Sequence, residues 1–425
     1  MRPAHHAYTA ESICLTVRMC LNAAISFRGC SAVVELILEF LPQFRSVPAP
    51  NTAESWLLRL GLYELLRPKE KADDWVLIVD HTLQLGTMKC LVIVGVHWSV
   101  WDQLTAPLTH QDLTVLTLEP VEKSNGEIVY RQLEEAAERV GVPVAILSDE
   151  GSDITGGAEQ FRENHPTTQV LHDIAHKAAV VLKHELLADP RWERFVKHCG
   201  QTQPRVKQTE LGHLAPPTQK VKGRYMNLGP LIGWGARMLR LVETPEADRP
   251  ADLDLTRLVE KFGWIRDFRE AFVDWSDLHA VKDHVLDYAR VEGYHVDAAG
   301  ELRLQLESVA HTPPGRRAAA KLVEFVTEQS SEVQTNHSLP ASSEVLESLI
   351  GKGKRMQGQH SRGGFTKLIL GMAASVVQIT EDRVREALEA VSHHHLLKWI
   401  QDNLGRSLTA QRRQAIPAIA GTKEG

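Results

Sequence analysis

The sequence lacks several features that would assign it to other classes of protein. No stretch approaches the roughly 18 apolar residues of a membrane span, and no basic start leads into an apolar signal core, so we expect a cytoplasmic protein with no membrane segment. The five cysteines are scattered and form no Cys-x-x-Cys pair, which indicates reduced core residues rather than a disulfide framework or a zinc ribbon. Gly156-Gly157 lacks the following lysine and hydroxyl residue of a phosphate-binding loop.

The chain also has no overall surplus of positive charge. Its net charge is -6, which argues weakly against a uniformly basic nucleic-acid binder. Between Gly351 and Lys367, however, there are five basic residues and no acid, with Lys352, Lys354 and Arg355 close together. Such a tract either follows a phosphate backbone or is a solvated loop.

Three helices are predicted in the first 70 residues. Apolar residues recur at helical spacing over 10–24 and 31–41, and a third helix over 52–66 follows Asn51, a suitable N-cap. This arrangement is compatible with a helix-turn-helix DNA-binding unit over 1–70 whose last helix enters a DNA groove. A plain three-helix packing domain is the alternative.

From residue 75 the pattern changes to β-branched and apolar runs typical of strands. The predicted order is β-β-β-α-β-α-β-α, which resembles the ribonuclease-H-like fold, an α/β class with a mixed sheet. The predicted elements are strands at 76–82, 87–98, 113–118, 142–148 and 168–171, and helices at 126–141, 154–164 and 174–185.

The chain of 425 residues is long enough for several domains. We expect the first part of the catalytic core over 71–199 and a mainly helical insertion over 200–340. Residues 341–403 complete the core with a glutamate-bearing helix and C-terminal helices, and 404–425 form a loose tail.

Acidic residues stand where this fold would bring them together. Asp80 and Asp149 each end an apolar run, and a buried strand seldom ends in a carboxylate unless a partner or a metal neutralises its charge. Glu344 and Glu347 lie one turn apart on a later helix, and spacing alone does not choose between them. Two Mg2+ or Mn2+ ions held by such carboxylates suit phosphodiester chemistry. A turn at Asp80 and a helix cap at Asp149 are the structural alternatives.

These residues resemble a known catalytic set. The aspartates lie in Val-Asp80-His-Thr and Leu-Ser-Asp149-Glu-Gly, and segment 347–354 reads Glu-Ser-Leu-Ile-Gly-Lys-Gly-Lys. Together they resemble the D-D-E constellation of bacterial insertion-sequence transposases, several of which carry an inserted domain before the glutamate. The resemblance favours Glu347 as the third catalytic and metal-binding residue, and it implies that Lys354 contacts phosphates at the transposon ends.

The resemblance implies a DNA transposase. Such an enzyme binds terminal inverted repeats, cleaves a strand with water, and joins the freed 3'-hydroxyl to target DNA as a dimer or larger assembly in the bacterial nucleoid. Lys352 and Arg355 are further candidate DNA contacts. The chain departs from one large transposase group, because Pro340 and Ser343 stand where tyrosine and arginine are expected.

Two accessory residues and two alternative functions remain open. Asp173 and His176, at a predicted strand-to-helix junction, either help to position metal or the scissile phosphate, or form a helix cap and a packed histidine. The alternatives to a transposase are a ribonuclease-H-like nuclease without strand transfer and a catalytically silent, transposase-derived DNA-binding protein.

Overall fold

The computed structural model divides the chain into two compact units, Met1–Leu171 with Ser343–Gly425, and His172–Ser342. The predicted boundary at residue 200 therefore lies inside the second unit, which already begins at His172. The predicted tail lies, from residue 405 onward, outside the described residues. The structure describes residues 2–4, 6–40, 46–85, 88–218, 228–245, 248, 254–334, 337–360 and 366–404.

The first unit is built on a five-stranded mixed sheet, as predicted. Its strands are β1 (Trp75–Leu85), β2 (Met88–His97), β3 (Thr114–Val121), β4 (Ala145–Ser148) and β5 (Gln169–His172). Their order is β3-β2-β1-β4-β5. β2 runs antiparallel to both β1 and β3, whereas β4 runs parallel to β1.

Among the described residues of the first unit, six α-helices precede the second unit in the chain. They are α1 (Ala10–Asn22), α2 (Phe27–Leu38), α3 (Pro50–Leu66), α4 (Trp98–Trp101), α5 (Gly126–Val140) and α6 (Ser152–Asn164). The amide of Ile128 donates to the Asn125 side chain at the start of α5, and Gly141, at φ +104°, ends it. α5 and α6 bury their apolar sides on one face of the sheet, in a cluster that includes Leu77, Val79 and Ile146.

The prediction that the third helix enters a DNA groove is wrong, because α3 is buried along most of its length. Trp56, Leu57, Leu60 and most of their neighbours are almost fully covered. A Cβ atom at Gly61 would collide with the backbone oxygen of Leu370. α3 is thus a core helix of the first unit. It also begins at Pro50 rather than after an Asn51 cap.

The second unit is helical over most of its described residues. Its helices are α7 (Ile174–Ala188), α8 (Pro190–Val206), α9 (Gly229–Glu243), α10 (Leu255–Phe262), α11 (Arg269–Val291), α12 (Ala298–Glu307) and α13 (Pro313–Ser331). Aromatic rings form part of its core, with Phe195 5.1 Å from Trp275 and 5.3 Å from Phe272 between ring centroids. The Pro313-Pro314 pair begins α13.

The chain then returns to the first unit. The last helices are α14 (Glu344–His360), α15 (Leu370–Ser375), α16 (Glu381–Ala390) and α17 (His393–Leu404). α14 contacts both β1 and α15. All five cysteines are free and buried, as predicted. In the described part of the chain no helix is both long and apolar enough to cross a membrane.

Candidate active site

The parallel pairing of β1 with β4 brings Asp80 and Asp149 to neighbouring positions. Val79 pairs with Ser148. Asp80 follows Val79 within β1, and Asp149 is the first residue after β4. Val79 lies in the apolar cluster beneath α5 and α6. Because successive side chains of a strand point to opposite faces, Asp80 belongs to the face away from those helices. The register assigns Asp149 to the same face.

Asp80 lies inside β1, which ends at Leu85 rather than at residue 82 as predicted. β1 continues to Leu85 because its antiparallel pairing with β2 extends past the end of β4, with Asp80 opposite Val92 and Thr82 opposite Cys90. What ends at Asp80 is the parallel pairing with β4. Asp149 does follow its strand directly.

Each aspartate accepts a local backbone hydrogen bond. The His81 amide nitrogen lies 2.6 Å from Asp80 Oδ1, and the Gly151 amide nitrogen lies 3.0 Å from Asp149 Oδ1. A Cβ atom at Gly151 would come within 2.9 Å of that same Asp149 oxygen. Asp149 therefore forms a turn that leads into α6.

The candidate glutamates lie in the first turn of α14, the helix that packs on β1. Glu344 is half-buried and Glu347 is exposed. The Glu347 amide donates to the Ser343 carbonyl, so this residue is held in the regular first turn. The structure brings both glutamates to the unit that holds the aspartates, and both stay candidates for the third ligand.

The fit to a divalent metal is partial. Carboxylate oxygens are the ligands that Mg2+ and Mn2+ prefer, so the donor chemistry of the predicted set suits these ions. Within the described ranges, however, no group of three histidine, cysteine, aspartate or glutamate side chains is placed to hold a metal. The sheet assigns the two aspartates to neighbouring positions, and α14, which packs on β1, carries the candidates for the third ligand.

A polar network beside Asp80 was not predicted from the sequence. His81 Nε2 lies 3.1 Å from Ser124 Oγ and 3.8 Å from Asp153 Oδ2, and Lys89 Nζ lies 2.8 Å from the same carboxylate oxygen. These residues come from β1, β2, the start of α6 and the turn before α5. Only the position of His81 directly after Asp80 could have drawn attention to it.

This network is not a nucleophilic triad, because one histidine nitrogen faces both serine and aspartate. Burial acts to raise the pKa of Asp153, but hydrogen bonds from Lys89 and Ser124, with the charges of His81 and Lys89, hold it at about 2. Burial lowers the pKa of His81, as does Lys89, against the opposing effect of Asp153 and Asp149. The arrangement disfavours the charged form of the His81 imidazole and favours the ionised form of Asp153.

The predicted accessory pair belongs to the second unit. Asp173 is buried and accepts a hydrogen bond at Oδ1 from the Ala175 amide, 2.8 Å away, as the N-cap of α7. His176 is half-buried in the first turn of that helix. These contacts favour the helix-cap alternative for Asp173.

The basic residues of α14 differ in exposure. Lys354 and Arg355 are exposed, whereas Lys352 is half-buried. Burial lowers the pKa of Lys352, and the charge of Arg355 lowers it further. A residue seven positions from Glu347, such as Lys354, lies on the same side of an ideal helix, and Lys352 lies on another side.

Comparison with known proteins leaves the family open. No protein-family model matches the chain, and no curated protein matches it. Among solved structures, the chain is similar to one described as "Drosophila P element transposase strand transfer complex". The similarity covers 92% of this chain and 94% of that one, at 10% sequence identity and a TM-score of 0.41. We draw no conclusion about function from a likeness of that size.

Proposed function

We propose that this chain is a DNA transposase of the D-D-E class with a ribonuclease-H-like catalytic core and a helical insertion. The observation that carries the proposal is the β1–β4 register, which assigns Asp80 and Asp149 to adjacent positions on one face of the sheet. Packing of α14 on β1 supports it, because that helix carries Glu347 in its first turn. The motif resemblance over 347–354 supports it independently.

Asp80 and Asp149, with Glu347 from α14, are the residues that would hold divalent cations. When bound, two Mg2+ or Mn2+ ions supply charge neutralisation at the attacking and leaving oxygens of a phosphodiester. The protein contributes the carboxylates of Asp80 and Asp149 from two adjacent strands of the sheet. Glu347, in the first turn of α14, is the proposed third carboxylate of the set.

The proposed reaction has two balanced steps. In cleavage, a water oxygen forms a bond to phosphorus and the bond from phosphorus to the 3'-oxygen breaks. The products are a 3'-hydroxyl and a 5'-phosphate, with one proton released to solvent. In joining, that 3'-oxygen attacks a phosphodiester of target DNA and loses its proton, while a target 3'-oxygen leaves and takes one up. No covalent bond to the protein forms in either step.

Lys352, Lys354 and Arg355 are proposed DNA contacts, because an exposed or half-buried basic row beside an acidic site can pair with phosphates. Terminal inverted repeats and target DNA are the proposed partners, bound by a dimer or larger assembly. Because α3 is buried, any base reading by the first 70 residues must use another surface.

A strand-transfer assay tests the proposal. Duplexes that carry the sequences flanking the coding region are incubated with Mg2+, target DNA and the parent, Asp80→Asn, Asp149→Asn or Glu138→Gln protein. Glu138, exposed on α5, provides the control. We expect cleavage and joining by the parent and the control, and loss of both in the aspartate variants. Joining by Asp80→Asn would overturn the assignment.

The same assay separates the alternatives. Cleavage without joining by the parent identifies a ribonuclease-H-like nuclease. DNA binding without either reaction identifies a catalytically silent descendant of a transposase.

A further inference from the structure

A polar cavity of about 530 Å³ lies in the first unit, and neither Asp80 nor Asp149 lines it. It is bordered by α1, by the short 3-10 turn His110–Asp112, by α14 and by the segment that follows α15. Its lining includes the polar side chains of Arg18, Asn22, His110, Gln111, Lys352 and Gln378.

Basic side chains from separate elements meet in this cavity. Arg18, His110 and Lys352 line it. Burial lowers the pKa of His110, and the charges of Lys352 and Arg355 lower it further. Three cationic or proton-accepting groups from three elements thus share one half-enclosed space.

The nearby carboxylates do not neutralise Lys352. Asp112 accepts from the amide and hydroxyl of Thr109, at 2.7 and 2.6 Å. The charges of Glu11 and Glu381 raise the pKa of Cys14, which lies one turn before Arg18. Among the described residues, Lys352 has no carboxylate within ion-pairing distance. A half-buried ammonium group without a counter-ion favours binding of an anion.

The rim is suited to a long ligand rather than to an enclosed one. Arg18, Asn22, Gln111 and Gln378 are exposed, so the cavity is open to solvent along its edge. Their guanidinium and amide groups can donate hydrogen bonds to phosphate oxygens. A strand of nucleic acid can therefore place one phosphate inside while its neighbours remain outside.

We propose that this cavity binds a backbone phosphate of DNA through Lys352 and Arg18, with His110 as an additional donor. The proposal rests on the proposed function and deepens it. It divides the basic row of α14 into two roles, with Lys354 on the side of Glu347 and Lys352 in the cavity. It also assigns a DNA phosphate contact to α1, whereas the sequence pattern predicted DNA binding by the third helix.

Salt dependence of DNA affinity tests this assignment. Binding of a duplex without divalent metal is measured between 50 and 200 mM salt for the parent, Lys352→Gln, Arg18→Gln and Lys398→Gln. Lys398 is exposed on α17 and provides the control. Each contact to a duplex phosphate contributes about 0.9 to the slope of log affinity against log salt. We expect both cavity variants to lose about that much of the slope and about 3- to 10-fold in affinity, and Lys398→Gln to match the parent. Thermal unfolding checks that each variant folds.

Three results would overturn the assignment in distinguishable ways. Folded cavity variants whose slope equals that of Lys398→Gln would remove the DNA phosphate from the cavity. Inorganic phosphate that raises the unfolding midpoint of the parent but not of Lys352→Gln, with equal DNA slopes, would assign the cavity to a free anion. A parent protein that binds no DNA at all would overturn the proposed function as well.

Discussion

Val79 of β1 pairs with Ser148 of β4, and this pair is the last in the parallel ladder between the two strands. A register shift of one residue on either strand would turn its aspartate toward the apolar cluster beneath α5 and α6. The same buried residues that fix the sheet therefore fix which face receives Asp80 and Asp149. Stability and the proposed chemistry depend on one register.

The choice between the two glutamates of α14 can be tested by paired substitutions. Glu347→Gln is expected to lower the rate of DNA cleavage by more than about 100-fold. Even the removal of a side chain that only hydrogen-bonds to a metal ligand costs about 10- to 100-fold in metal affinity or activity. Glu344→Gln is expected to keep cleavage near the parent level. Single-turnover cleavage with Mg2+ measures both rates.

The opposite pattern would contradict the assignment of the third ligand. If Glu344→Gln is inactive and Glu347→Gln is active, the half-buried glutamate is the ligand and the motif resemblance is misleading. Equal DNA affinity of the two variants serves as the control, since neither substitution removes a proposed phosphate contact.

Sequence patterns predicted the sheet well because its signals are local. The five strands and both helices on the α5–α6 face follow from apolar runs and helical spacing. The fate of α3 did not follow, because a helix that is apolar on one side and a helix that is buried on several sides share much of their pattern. The residues that cover α3 include some that lie about 300 positions later in the chain, such as Leu370.

Sequence patterns indicated some residues of the candidate site and missed others. Asp80 and Asp149 stand out because a carboxylate interrupts an apolar run. The network of His81, Ser124 and Asp153 joins residues from separate elements, and no spacing rule links them. The far end of β1 was missed, because it is fixed by pairing with β2 and extends beyond residue 82, where the predicted strand ends.

Close packing between α3 and the segment that begins α15 makes Gly61 sensitive to substitution. Gly61→Ala is expected to lower the free energy of unfolding by at least about 1 to 3 kcal/mol, because the new methyl group meets the Leu370 carbonyl, which cannot move without α15. Gly358→Ala, in α14, is the control, because a Cβ atom there meets nothing within 4 Å. It should raise stability by about 0.5 to 1 kcal/mol. Urea unfolding measures both changes, and equal effects would contradict the packing.

The buried network beside Asp80 predicts a pH dependence of folding. Asp153 has a pKa of about 2 in the folded protein, against 3.8 ordinarily, so its contribution is present above about pH 4 and is lost as the pH falls toward 2. Asp153→Asn should therefore lower stability at pH 6 by about 1 kcal/mol, after allowance for solvent screening, and flatten its fall between pH 4 and 2. Unfolding free energies across that range test this. An unchanged pH profile, matching that of Glu138→Gln, would contradict it.

The central claim is that Asp80 and Asp149 form one divalent-cation site together with the first turn of α14. Iron(II) in place of Mg2+, with ascorbate and peroxide, produces hydroxyl radicals that cut the polypeptide next to the bound ion. With the DNA-bound parent protein, we predict cuts near residues 80 and 149 and near Glu347, all lost together in Asp80→Asn and kept in Glu138→Gln. Cuts at only one of these segments, or an identical pattern in Asp80→Asn, would contradict the account.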